Sequence, residues 1–193
     1  MTISNFYSRL EQVPARLLSK ELLHNIHIGN EIGFYIFDYP PDKELVVRKW
    51  LSSLPEQVNK RSEQKINFLS INIFQVVINY IKSTNKYDKI IKTAKERSND
   101  ALLRGMESLL NSSTIASIFN DIIKNENTDI ILMHGVGAVW PLIRIHSFLN
   151  ILHPIVGQTP LVLFYPGTYN SSTIKLFDRL PSENYYRAFR LLP

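Results

Sequence analysis

The chain has 193 residues, no cysteine, and 22 lysines and arginines against 17 aspartates and glutamates, a net charge of +5. Its length suits one domain, and 45% hydrophobic with 20% charged residues is enough to bury a real core. The lack of cysteine excludes disulfides, thiolate zinc centres and a cysteine nucleophile, and no apolar run reaches the ~18 residues of a membrane helix. The first residues hold no apolar h-region and no small-residue cleavage site, so no export signal and no membrane partner are expected, and the reading is cytoplasmic.

Residues 4–27 read as one or two helices: Leu10, Val13, Leu17, Leu18, Leu22 and Leu23 recur near helical spacing, with Pro14 as an interruption. The apolar and aromatic run 32–37 predicts a strand, stopped by Asp38-Tyr39-Pro40-Pro41. Asp42 is placed to cap a helix over 43–54 that puts Val47, Leu51, Leu54 and Val58 on one face. A strand at 66–71 follows, then a helix through Val77, Ile78 and Ile81 and a long helical stretch over 87–110. Asn111-Ser112-Ser113 breaks that stretch, and Ser113 is the expected cap of a helix with Ile115, Ile118, Phe119, Ile122 and Ile123 on one stripe. Next come a strand at 129–133, a helix at 141–152 and a strand at 161–165 closed by Pro166-Gly167. The tail predicts a hairpin with arms at 174–177 and 186–191.

Strands of nearly unbroken apolar character alternating with amphipathic helices predict one α/β domain over 1–193, a helix–sheet–helix sandwich on a mostly parallel sheet. The tail hairpin would be its antiparallel edge. Residues 1–28 form an N-terminal helical segment and 87–127 a helical, lysine-rich one.

In such sheets ligands and partners are met at the carboxyl ends of the strands. This edge would gather Asp38, Asn72, His134-Gly135 and Pro166-Gly167. The layout resembles a phosphate loop, with Gly135 and Gly137 after an apolar strand and Arg144 one turn into the following helix. The lysine and hydroxyl that such a loop needs for phosphate and magnesium are missing, and Trp140 stands where a dinucleotide fingerprint has its third glycine. Asp38 is either a magnesium-type aspartate or the organiser of the Pro40-Pro41 turn.

His24 with His27, and His146 with His153, are pairs where zinc needs three or four ligands. His134 ends a buried strand, which suits a base or a histidine bonded to a nearby carbonyl. Gly-x-Ser-x-Gly is absent, and Ser171-Ser172-Thr173 reads as a turn. No metal, cofactor or catalytic residue is therefore expected. Lys82, Lys86 and Lys89 would share a helix face near Arg97, as a solvated face or as a weaker DNA contact. Trp140, Tyr165, Tyr169, Tyr185, Tyr186, Arg187 and Arg190 crowd the last third. They are of types enriched at protein interfaces, and a strand near the chain end is often an exposed edge. The tyrosines suit the boundary of the core equally well.

Four runs together resemble the BrxB family, the B component of BREX (bacteriophage exclusion) defence systems: GNEIGFYIFDYPP at 29–41, MHGVGAVWP at 133–141, PLVLFYPG at 160–167 and NYYRAFRLLP at 184–193. The resemblance covers nearly the whole chain, with little family signal over 82–127. It implies a small cytoplasmic accessory part of a system that combines a DNA methyltransferase, a large ATPase and a phosphatase-fold protein (PglZ), the last as direct partner. The family supplies no catalytic residues to carry over. The leading expectation is a non-enzymatic adaptor that docks PglZ. The alternatives are a degenerate nucleotide-binding domain that senses a ligand without hydrolysis, and a DNA-contacting subunit.

Overall fold

A computed structural model describes residues 3–24, 33–124, 126–170, 173–181 and 188–193. Five parallel strands form its centre: β1 (Phe34–Tyr39), β2 (Phe68–Asn72), β3 (Ile130–His134), β4 (Leu161–Tyr169) and β7 (Phe189–Arg190), in the order β2-β3-β4-β1-β7. Beyond the main ladder, β4 pairs antiparallel with β5 (Ile174–Leu176), which pairs in turn with β6 (Leu180–Pro181).

The apolar runs of β1, β3 and β4 are buried on both faces, as the sequence predicts, whereas in edge strand β2 only Ile71 is buried, and alternation sorts the buried residues into two cores. Phe34, Ile36, Ile131, Met133, Leu161 and Leu163 point to one face, and Tyr35, Phe37, Ile130, Leu132, Val162 and Phe164 to the other. The first face is covered by α5 (Ile73–Ser83), α8 (Ser112–Lys124), α9 (Val136–Val139) and α10 (Ile145–Val156). The second lies under α1 (Ile3–Leu17), α2 (Lys20–Leu23), α3 (Glu44–Leu51) and α4 (Leu54–Asn59). The expected stripe of α8 is inward: Ile115, Phe119 and Ile123 are buried, with Ile118 and Ile122 packed beside them.

Several boundaries differ from expectation for local reasons. Pro14 does not interrupt α1, because burial of Phe6, Leu10, Val13 and Leu17 outweighs the one hydrogen bond the proline removes. The helix expected over 43–54 breaks where Pro55 lacks the N–H needed to continue it, and restarts as α4. Asp42 lies in a short 3-10 turn, Pro41–Lys43, and pairs with Lys43 instead of capping a helix. The long helical stretch is α6 (Tyr87–Glu96) and α7 (Asn99–Leu109), divided at the extended Arg97 and restarted by Ser98, whose hydroxyl accepts from Ala101 N–H. Asn111, not Ser113, caps α8 by accepting the N–H of Thr114 at 3.0 Å.

Two corrections reshape the C-terminal edge. The helix expected from Pro141 begins at Ile145, because Trp140, extended ahead of a proline, carries the chain out of the four-residue α9. Pro166-Gly167 does not close β4, which runs on to Tyr169. The hairpin partner of β5 is accordingly β6, while the chain end pairs parallel with β1. This does place β7 at the sheet edge, as expected of the terminal strand.

The seam between α8 and α10 is closed by Phe119 against Phe148, edge to face at 4.9 Å. Phe119→Ala should cost about 3–5 kcal/mol, read as a lowered urea midpoint with an unchanged slope.

Candidate functional site

The register places Asp38 opposite Tyr165 and Asn72 opposite His134, so the expected residues do line up at the carboxyl ends of the strands. They divide, however, into separate environments.

Asp38 is 1% exposed and every partner it has is internal. Arg9 of α1 places Nη2 2.6 Å from Oδ1 and donates through Nη1 to the Asp38 carbonyl at 2.9 Å. Arg190 of β7 reaches Oδ2 at 3.0 Å, and the N–H of Tyr169 on β4 donates to Oδ2 at 3.2 Å. The Arg9 guanidinium also lies 5.0 Å from the centre of the Phe37 ring. Asp38 is thus neither a turn organiser nor a magnesium-type aspartate with free oxygens. Arg190, expected at a partner surface, is joined to it in an ion pair. Beside them Gly167, Thr168 and Asp178 help line a cleft of about 310 Å³, in which the Thr168 hydroxyl donates to Asp178. Sequence reasoning missed Arg9. The available signal was its position: it falls between Phe6, Leu10 and Val13, inside the apolar stripe of α1.

His134 is half-buried, and its Nδ1 has no hydrogen-bond partner among the described residues, so neither the carbonyl-bonded nor the base-with-orienter arrangement is present. Burial lowers its pKa from the ordinary histidine value; the charge of Arg48 adds to this and that of Glu44 opposes it. Glu44 accepts from the Tyr39 phenol and from Arg48 Nε at 2.8 Å. Burial, reinforced by Glu44, raises the Tyr39 pKa, so this phenol stays protonated.

The glycines of the phosphate-loop-like segment have a packing role. Gly135 has φ +81°, and a side chain there would also meet Asn72 Oδ1 at 2.5 Å. A Cβ on Gly137 would lie 2.7 Å from the Phe177 ring. The space in front of Gly137 is filled by a side chain from the turn between β5 and β6. In that turn Phe177 and Asp178 both hold positive φ, 54° and 59°, and the Phe177 N–H donates to the Pro166 carbonyl at 2.9 Å. Left-handed backbone at a phenylalanine costs of order 1–3 kcal/mol and tends to occur where function uses it. Phe177 is 36% exposed and Trp140 46%, and with Pro41, Asp42, Arg179 and Leu180 they line an open groove of about 820 Å³. Sequence reasoning missed Phe177, since nothing local marks it for a left-handed turn.

The remaining nominated residues are dispersed. Tyr165 is fully buried beneath a pocket near Trp140, and Arg144 stands exposed at the start of α10 instead of one turn in. Tyr169 is core and donates its hydroxyl to the Ala188 carbonyl. Lys82 closes α5, Lys86 precedes α6, Lys89 lies within it and Arg97 ends it, so the basic residues belong to two helices. His24 ends α2, while His146 and His153 lie on α10, the latter edge-on to Phe34. Tyr185, Tyr186, Arg187, His27 and Ser171-Ser172 lie outside the described residues, and Thr173 closes a turn onto Asn170. Among the described residues no three histidine or acidic side chains cluster as metal ligands, and no helix is long and apolar enough to cross a membrane.

A family model described as "BREX protein BrxB" matches residues 69–191. A BREX protein BrxB from Escherichia coli O9:H4 (strain HS) is 34% identical over 185 residues, covering 96% of this chain and 90% of that protein. One from Bacillus cereus (strain H3081.97) is 31% identical over 188 residues, covering 95% and 96%. No solved structure matches the chain significantly.

Two measurements check this geometry. Asp38→Asn leaves buried Arg9 without its counter-charge and should destabilise the fold by about 3–5 kcal/mol in urea melts. For His134 the folded-state pKa is lowered, so protonation favours the unfolded chain. Its stabilising contribution is complete above the ordinary histidine pKa of about 6.5 and is lost as pH falls from there through the lowered folded-state pKa. The stability difference between the wild type and His134→Gln should therefore shrink on acidification, and the His134 ring signals should titrate below about pH 6.5 in NMR.

Proposed function

Because the chain belongs to the BrxB family of BREX proteins, we propose that it is a non-enzymatic accessory subunit that docks another component of the defence system, with PglZ as its direct partner. The observation that carries this reading is the groove at the C-terminal edge of the sheet. There Trp140 and Phe177 expose large aromatic surfaces side by side, with Arg179 and Asp178 at the rim. Rigid aromatic anchors ringed by charged groups are the composition of interaction hot spots. The turn that holds Phe177 is a second support, since its left-handed backbone disfavours a phenylalanine and yet leaves part of the ring exposed beside Trp140's groove.

The non-enzymatic part of the proposal rests on how the edge uses its chemistry. Asp38 is engaged by both Arg9 and Arg190, the Tyr39 hydroxyl is bonded to Glu44, and the Nδ1 of His134 has no hydrogen-bond partner among the described residues to orient it. The nucleotide-sensing alternative is weakened because the Phe177 ring stands in front of Gly137.

In size-exclusion chromatography at micromolar concentration the chain should co-migrate with PglZ from the same operon. Trp140→Ala and Phe177→Ala should each weaken the complex by tenfold or more, about 2 kcal/mol for a hot-spot aromatic, whereas Lys82→Ala with Lys89→Ala should not. Separate migration of the wild-type pair would remove the reading's main support.

A further inference from the structure

Behind Trp140 lies a pocket distinct from the open groove. It measures about 280 Å³, and its walls include Ile143, Leu176 and Leu180. That is roughly nine waters' worth at about 30 Å³ each, the size of a molecule of about ten non-hydrogen atoms. Two features set its chemistry. At its base Tyr165 is 0% exposed, and its hydroxyl has no hydrogen-bond partner among the described residues. Burial, reinforced by Asp178, raises the Tyr165 pKa, so the group is a neutral phenol able to donate and accept. Leaving such a group unsatisfied is costly, and a ligand atom placed against it would recover that cost. At the other side the twelve-residue α10 begins at Arg144, which supplies no side-chain cap and forms no ion pair among the described residues. The positive end of a helix and an uncommitted guanidinium together favour an anion. Asp178 lines the neighbouring groove and not this pocket, and its carboxylate accepts from Thr168.

We propose that this pocket binds a small bifunctional molecule: a flat apolar body between Trp140 and the aliphatic wall, a carboxylate at Arg144 and the start of α10, and a hydroxyl or carbonyl against Tyr165. A cavity mostly apolar, with a few polar groups converging on it, is the usual form of a small-molecule site. The proposal goes beyond docking of a protein partner, and its test uses the full chain alone, so that failure here leaves the docking reading untouched.

The probe is 4-hydroxyphenylacetate, compared with phenylacetate, which lacks the hydroxyl, and 4-hydroxyphenethyl alcohol, which lacks the charge. The chain has two tryptophans, so Trp140→Phe assigns the Trp140 indole N–H signal as the reporter. A saturable shift is expected with the full probe, and each analogue should bind about tenfold more weakly, as loss of one hydrogen-bonding or ionic contact implies. Tyr165→Phe should abolish the difference made by the hydroxyl, and Arg144→Gln the difference made by the carboxylate. The analogue comparison in the wild type needs no variant to fold. The proposal is overturned if no saturable shift occurs up to roughly 10 mM, an affinity weaker than about −3 kcal/mol, if the three compounds bind alike, or if both differences persist in the variants.

Discussion

One buried carboxylate holds the two ends of the chain to the middle of the sheet. Asp38 sits near the end of β1 and is satisfied from three directions: by Arg9 on the first helix, by Arg190 on the last strand and by the backbone of Tyr169 on β4. A charge removed from water is tolerable only when its lone pairs are met, and removing Asp38 would leave buried Arg9 without a counter-charge. The arrangement therefore couples elements that packing alone would hold loosely. β7 contributes only a two-residue ladder to the sheet, and charge-assisted bonds from Arg190 supply what so short a strand lacks. α1 in turn is fixed in rotation, because Arg9 must point at Asp38 while Phe6, Leu10 and Val13 press on the second core.

With the strand ends fixed, the edge above them becomes a surface built by close approach. Gly137 admits the Phe177 ring, and Gly167 lets β4 run within reach of β5, where a Cβ would meet the Lys175 carbonyl at 2.1 Å. These glycines bring the β5–β6 turn down over the end of β3, where other α/β proteins leave room for a phosphate. The result is a covered edge that displays Trp140 and Phe177, with a smaller, partly open pocket behind the first of them. The proposed partner surface and the proposed small-molecule pocket share Trp140, a simple physical route by which occupancy of one would be felt at the other.

The family match, residues 69–191, includes the pocket and the aromatic side of the groove, while Pro41 and Asp42 of the groove and the Arg9 and Asp38 side of the buried cluster lie outside it. The two relatives extend over nearly the whole chain. α6, which carries Lys89, Lys92 and Lys95, and α7 bury no residue fully, which suits a peripheral attachment to the sandwich more than a part of its core.

The class of fold was legible in the sequence because it rests on periodicity. Continuous apolar runs such as 130–133 and 161–165 can be satisfied only by a sheet covered on both sides, and the stripe of Ile115, Phe119 and Ile123 only by a helix facing it. The boundaries at Ser53, Arg97 and Trp140 were less legible, since each depends on one or two residues whose preference competes with the helix around them. The same residues that nominated the C-terminal edge also marked the family, because Gly135, Gly137, Trp140 and Pro141 are unusual together in any strand-to-helix turn. What the sequence could not carry were contacts between distant segments. Arg9 meets Asp38 across 29 positions and Arg190 meets it across 152, and Phe177 reaches Gly137 through a turn that its own residue type disfavours. Periodicity is a local property of the chain and declares which side chains must be buried. The partner that a buried charge finds, and whether a glycine faces a ligand or a neighbouring ring, depend on the packing of whole elements and exist only once the sheet has assembled.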